Sequence, residues 1–307
     1  MNVTVVGSIM VDLVAHCGRY PARGETMAGE SFAIVPGGKG ANQAVACMRM
    51  GCAVTLVGSV GKDPFAEIAL AFLAQSGVDT DRVYRTNSSR TGTAFIVIDA
   101  SAENTILLMR GANDDLPVDV LERSSDRIAG ADALLVQLEI SLPVVERAMA
   151  IARRAGVPIL LDPAPAQPIP DHFLALADFV TPNEQETKTL TGIDPLTPEA
   201  AAAAADALHR RGARQVIIKR GSKGCLVSAG GQRQNIEGIP VRPIDTVGAG
   251  DCFAGALISA WLETRDIFQA CRFANVAAAL KVQRSGAQSG VPLRKEVDEW
   301  LKTLPEN

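Results

Sequence analysis

Short apolar runs rich in β-branched residues recur along the chain, at Val3–Val6, Ala53–Gly58, Ala94–Ile98, Thr105–Met109, Ala133–Leu138, Val157–Leu161, Asp178–Thr181, Val216–Lys219 and Cys225–Ser228. Most are apolar at consecutive positions rather than at alternate ones, the pattern of strands covered on both faces. Stretches of helical character separate many of them: Ala41–Met50, Pro64–Gln75, Pro143–Ala155 and the alanine-rich Pro198–Arg211, where Thr197 is placed to cap and Pro198 takes the first helical position. Such alternation over most of 307 residues predicts an α/β fold, a mainly parallel sheet between two layers of helices.

Two segments break the rhythm. Leu13–Val35 mixes Pro, Gly and charge with strand-like pieces, and Thr91–Met109 reads as two strands joined by Ala100-Ser101-Ala102-Glu103. Neither leads into a helix, so both are expected in a small β-rich lid over a substrate cleft. Cys252–Arg284 reads as nearly all helix, followed by a last helical segment, Pro292–Leu304. No repeat or long linker intervenes, and the expected organisation is one domain, residues 1–307, with lid segments at about 13–35 and 91–109.

Hydrophobic residues at 47% and charged residues at 21% are enough for a packed core. Thirty basic against 34 acidic residues, no basic block and few aromatics argue against nucleic acid as a partner. No apolar run reaches 18 residues and no charged leader opens the chain, so a cytoplasmic protein that does not enter a membrane is expected. Six cysteines without a CxxC pair and three scattered histidines favour reduced, packed thiols over disulfides or a zinc site.

Glycines that open helices mark candidate anion sites, because unpaired N–H groups and the helix dipole both favour negative charge there. Asp245-Thr246-Val247-Gly248-Ala249-Gly250-Asp251 leads into the apolar run Cys252–Leu262 and places Asp251 in a first helical turn. Read on its own, Asp251 is either a helix cap or a base beside a bound phosphate. Pro36-Gly37-Gly38-Lys39-Gly40-Ala41-Asn42-Gln43 is either a structural turn or a loop where Lys39 meets an anion and Asn42 meets sugar hydroxyls. The chain has no G-x-x-x-x-G-K-[ST] motif, and Gly7–Asp12 does not complete G-x-G-x-x-G.

These pieces, in this order, resemble the ribokinase (pfkB) family of sugar kinases over nearly the whole chain. The carriers are Gly7-Ser8 with Asp12, Pro36–Ala46, Val60–Phe65, Gly111-Ala112-Asn113, Gln137-Leu138-Glu139, Asp162-Pro163-Ala164-Pro165, Thr181–Glu186, Asp245–Asp251 and Gly286-Ala287-Gln288. The resemblance implies a ribokinase-like three-layer α/β/α sandwich, and an ATP-dependent kinase acting on the primary hydroxyl of a pentose. By position, Asp251 matches the catalytic base, and Gly248, Ala249 and Gly250 match the anion hole. Met10, Asp12, Gly38, Lys39, Asn42 and Glu139 fall at sugar-binding positions. Asn183 and Glu186 match a pair associated with Mg²⁺ and the nucleotide phosphates, while Lys219, Gly221, Ser222, Gly224, Gly250 and Asn275 match the nucleotide pocket. Lys219 stands where relatives usually have Thr.

The resemblance further implies a monovalent cation, K⁺, held mainly by backbone carbonyls at Asp245, Val247, Lys281, Arg284, Gly286 and Gly290. Relatives commonly have a hydroxyl at the last of these positions; here the neighbouring Ser289 is the available one. Where ribokinases typically place Asn, this chain has Met10, as deoxyribokinases do, which favours 2-deoxyribose over ribose because a thioether packs on CH₂ and is a poor acceptor for hydroxyl. A homodimer through the lid is also implied, with Phe32, Ile34, Phe95 or Ile106 available to it.

Overall fold

The computed structural model describes residues 1–101 and 104–304. Among the described residues, thirteen strands form two sheets: β1 (Asn2–Val6), β2 (Met10–His16), β3 (Ser31–Gly37), β4 (Ala53–Val60), β5 (Val83–Arg85), β6 (Gly92–Ile98), β7 (Asn104–Met109), β8 (Ala133–Val136), β9 (Ile159–Leu161), β10 (Phe179–Val180), β11 (Gln215–Lys219), β12 (Cys225–Ala229) and β13 (Gln232–Ile236). The large sheet has the order β13-β12-β11-β10-β9-β8-β1-β4-β5. Its pairs from β5 to β11 are parallel, and the β11–β12 and β12–β13 pairs are antiparallel, so that β12 alone of the described strands in this sheet is reversed.

Consecutive apolar residues are needed because successive side chains face two different cores. Val5, Leu135, Leu160 and Ile217 enter one core with the helices Lys39–Arg49, Pro64–Gln75, Ala249–Thr264 and Ile267–Lys281. Val6, Leu134, Ile159 and Val216 enter the other with Leu142–Ala155 and Pro198–Arg210. The result is the three-layer sandwich. Thr197 caps the Pro198 helix as expected, its Oγ1 accepting from Ala200 N at 3.2 Å.

The C-terminal region departs from the continuous helix that its apolar character suggests. Arg265 adopts a left-handed conformation (φ 55°), and Asp266 starts a new helix by accepting from the N–H groups of Phe268 and Gln269 at 2.8 and 3.1 Å. Helix then ends at Lys281, short of Arg284, and the last helix is the shorter Arg294–Leu301.

The small sheet has the order β3-β2-β6-β7 and forms the lid. Its central strand begins at Met10 rather than Leu13, so Met10 and Asp12 belong to the lid itself, with Asp12 opposite Val35 and Ala94. Of the predicted β6–β7 connection, Ala102 and Glu103 lie outside the described residues.

The helix Lys39–Arg49 crosses the turn after β1 at backbone contact. A Cβ on Gly40 would stand 2.5 Å from Gly7 C and 2.6 Å from Ser8 N. Gly40→Ala is therefore expected to lower stability by about 1–3 kcal/mol, as overpacking of a rigid contact does. Thermal denaturation checks this, and an unchanged midpoint would contradict the contact.

Candidate active site

Strand order diverges from β1, with β4 on one side and β8 on the other, and the crevice at the C-terminal ends of the strands is where such sheets bind ligands. Gly7-Ser8 leaves β1, Glu139 follows β8, Asp162 follows β9, Asn183 follows β10 and Lys219 ends β11. The topology gathers on one rim residues that are far apart in sequence.

At one end are two carboxylates, Asp12 on the lid and Glu139 on the rim of the large sheet. Glu139 Oε2 accepts from Ser8 Oγ at 2.6 Å and from Lys39 N at 3.0 Å, the latter in the first turn after Gly38, whose φ of 90° only glycine adopts readily. Asp12 lies against Gly37, where a Cβ would come within 2.7 Å of its Oδ2. Burial pushes its pKa up to about 6, and the charge of Glu139 adds to the rise. Burial opposes the charge on Lys39, but Asp251, Glu139, Asp162 and Glu186 outweigh it and hold the ammonium above the ordinary lysine range.

Asp251 sits at the centre, 5% exposed. Its helix packs on Lys39–Arg49 so closely that a Cβ on Gly255 would be 2.5 Å from that of Ala46. One turn earlier on both helices, Asn42 Nδ2 donates to Asp251 Oδ2 at 2.9 Å and Gln43 Nε2 to Oδ1 at 3.2 Å. Gln43 Nε2 also reaches Asp162 Oδ2 at 2.9 Å, and its Oε1 accepts from Gln137 Nε2 at 2.6 Å; Asn42 Oδ1 accepts from Gln288 Nε2 at 3.0 Å. The side chain of Asp251 is thus held by amides and does not cap its own helix. At that helix start, Ala249 N–H donates to Thr246 O at 3.2 Å, so within the expected anion hole it is Gly248 and Gly250, with Asp251 beyond them, whose N–H groups lack a backbone acceptor.

At the other end lies a cleft of about 330 Å³. All of Lys219, Gly221, Ser222, Gly224, Gly250 and Asn275 line it, together with Pro240, Pro243, Phe253 and Ala279, which sequence reasoning missed. Asn275 Nδ2 donates to Glu237 O at 2.9 Å, anchoring the segment that leads to those prolines. Lys219 Nζ pairs with Asp162 Oδ1 at 2.7 Å, which gives this lysine a role that the usual Thr would not fill. Between the two ends, Asn183 and Glu186 form a capping box: Asn183 Oδ1 accepts from Glu186 N at 2.8 Å and Glu186 Oε2 from Asn183 N at 2.7 Å. Burial raises the pKa of Glu186 above its ordinary value, Lys219 opposing and Asp162 adding to the rise. The buried carboxylate of Glu186 offers hard oxygen donors of the kind that fit Mg²⁺, which takes few protein ligands and keeps its waters.

The residues do not fit the K⁺ site that the resemblance implies. The Lys281 carbonyl accepts from Arg284 N at 3.0 Å, and the Lys281 ammonium itself occupies the Asp245 carbonyl at 2.9 Å. Ser289 does not replace the missing hydroxyl, since its Oγ donates to Ser285 O at 3.1 Å. A serine at 290 would not restore it, because a Cβ there would meet Gly286 O at 2.7 Å and Arg284 O at 3.0 Å.

Residues 1–294 match the model of the pfkB family of carbohydrate kinases. The chain is 42% identical over 301 residues to a ribokinase of Haemophilus influenzae, each covered to 98%, and 40% identical to one of Bacillus subtilis, covered to 98% and 99%. It is 33% identical to a deoxyribokinase of Salmonella typhimurium, with 98% and 99% coverage. Its fold is similar to that of Arabidopsis thaliana ribokinase complexed with ribose and ATP, with a TM-score of 0.93, 33% identity and 98% of each chain covered. A match of this extent, on a chain that gathers its carboxylates and glycines at one sheet rim, shows that the protein belongs to the pfkB carbohydrate kinase family.

Proposed function

We propose that the protein transfers the γ-phosphoryl group of ATP to the primary hydroxyl of a pentose, 2-deoxy-D-ribose or D-ribose. The observation that carries this is Asp251, buried and held by Asn42 and Gln43 at the junction between a two-carboxylate pocket and a separate nucleotide-sized cleft. Asp12 and Glu139 accept sugar hydroxyls, with Gly38, Lys39 and Asn42 around them. Asp251 takes the proton of the attacking hydroxyl, whose oxygen bonds to the γ-phosphorus while the bond to the bridging oxygen breaks. The N–H groups at the Gly248–Asp251 turn face the charge that develops on the phosphoryl oxygens, and Lys39 adds a fixed cation. Lys219, Gly221, Ser222, Gly224 and Asn275 form the nucleotide side. Asn183 and Glu186 would hold Mg²⁺ through its waters; when bound, the ion neutralises charge on the phosphates. The lid closes over the pentose and excludes water. All six cysteines are free and buried, consistent with work in a reducing cytoplasm.

The test is ADP formation with a panel of ribose, 2-deoxyribose, fructose and adenosine. Sugar-dependent turnover with a pentose is expected. No turnover with any of them would overturn the kinase reading, and turnover with fructose or adenosine alone would overturn the substrate.

Met10 is buried beside the pocket, between Gly37 and Gly92 in register. Met10→Asn restores a hydrogen-bonding group that only a 2-hydroxyl can use, so the ratio of kcat/KM for ribose over 2-deoxyribose should rise roughly ten-fold, the worth of one hydrogen bond. An unchanged ratio means that Met10 only fills space.

A homodimer through the lid is supported by one cross-strand row of its sheet, Ile34, Leu13, Phe95 and Leu107, in which all but the core residue Leu13 are exposed. Sedimentation equilibrium at micromolar concentration showing only monomer would exclude it.

A further inference from the structure

Lys281 is the last residue of the helix Ile267–Lys281, and none of its side chain is exposed. Its Nζ donates to Asp245 O at 2.9 Å and lies 3.7 Å from Asp245 Oδ2. The same carboxylate is built into the turn before the catalytic helix: Oδ1 accepts from Val247 N at 2.9 Å and Oδ2 from Gly286 N at 2.8 Å. The ammonium therefore lies under the segment whose shape sets the direction of the N–H groups at Gly250 and Asp251. Arg284, the other nearby cation, is turned away into a bidentate pair with Glu296 at 3.0 and 2.6 Å.

A buried charge has to be compensated, and the Asp245 carbonyl and carboxylate are what this site offers. The resemblance assigns Asp245 to K⁺ as well, with the carbonyls of its neighbours in that site. An ammonium and a potassium ion carry the same charge, and two like charges cannot share one acceptor in a buried site. The geometry points to the Lys281 ammonium as a built-in replacement for the monovalent cation, fixing the phosphate-binding turn without potassium. A lysine placed here is present at every turnover, so neither the rate nor the fold should respond to the identity of the monovalent salt. The rate arm of the test rests on the kinase reading; the melting arm does not.

Initial rates with MgATP and a pentose, and melting temperatures, are compared in KCl and in tetramethylammonium chloride at equal ionic strength. The wild type should give the same rate and the same midpoint in both. Lys281→Ala opens the space and should lose on the order of ten-fold or more in rate without potassium, because the amides that meet the phosphate lose their support. KCl should restore most of that rate and raise the midpoint by about 2–4 °C, as binding to the native state does. Lys281→Met fills the space without charge and should stay slow in both salts.

A KCl-specific gain in the rate or midpoint of the wild type would overturn the proposal. So would a folded Lys281→Ala with the wild-type rate in tetramethylammonium chloride. If Lys281→Ala fails to fold, the wild-type melting pair decides. If the wild type phosphorylates no pentose, the kinase reading fails while that melting pair still tests the cation.

Discussion

Asp251→Asn is expected to lower kcat by about 10²–10⁴-fold, the range for a lost general base. An amide keeps the volume but cannot accept the hydroxyl proton. The substitution also disturbs its surroundings in a defined way, because Asn42 Nδ2 and Gln43 Nε2 each donate to a different oxygen of the carboxylate. An asparagine offers one acceptor, so one of these donors must face an NH₂ group or turn towards Asp162, which Gln43 already reaches. A modest loss of stability should accompany the large loss of rate, and ATP binding should survive because Asp251 itself does not line the cleft proposed for the nucleotide. Steady-state kinetics with calorimetric ATP titration checks both. Turnover within threefold of the wild type would remove Asp251 from the catalytic role.

The strands of the large sheet were legible where both faces of a run are buried, and the lid runs Ala94–Ile98 and Thr105–Met109 were legible because they are apolar and β-rich although partly exposed. Each of the nine apolar runs contains a strand of one of the two sheets, even β10, which keeps only two residues within Asp178–Thr181. Of the four strands outside these runs, β2 and β3 overlap the segment Leu13–Val35, which showed strand-like pieces, and the other two carry no such signal. Val83-Tyr84-Arg85 is too short, and Gln232–Ile236 is polar because it is the sheet edge, exposed along most of its length. The break at Arg265 was hidden by composition: residues on both sides are apolar because both helices are buried against the core, leaving no polar stripe to change phase. Thr264-Arg265-Asp266 was the available signal, an Asp placed to cap a second helix.

Of the site, the glycine turns and Asp251 were legible because their chemistry is local in sequence. The support of Asp251 was not. Gln43 lies inside a motif that drew attention to Lys39 and Asn42, yet its two carboxylate partners are 119 and 208 residues away. Asp162 reads as part of a loop until Lys219, Thr181 and Gln43 converge on it. Lys281 is the sharpest case. Position matching assigns its backbone carbonyl to a cation, and only the fold reveals that its side chain brings the cation along.

Asp12→Asn should lower kcat/KM for the pentose by on the order of 10²–10³-fold, the loss of two hydrogen bonds to a charged acceptor. The effect should fall mainly on the KM for sugar, because Asp12 lies in the lid strand facing Glu139 rather than at the phosphate end. Its pH dependence identifies the residue. Burial first, then the charge of Glu139, raises the Asp12 pKa from 3.8 to about 6. The carboxylate proposed to accept sugar hydroxyls is therefore present above that pH and is lost as pH falls through it. Wild-type kcat/KM for the pentose should be flat above pH about 6 and decline below it, and Asp12→Asn should abolish this limb. The same shift has an opposite consequence for stability: at pH 7 the folded protein holds an ionised carboxylate that the unfolded chain would solvate better. Asp12→Asn should consequently melt higher than the wild type at pH 7, with the difference shrinking as pH falls from about 6 to below 3.8, where Asp12 is protonated in both states. A limb that persists in the variant at the same pH would assign it to another group.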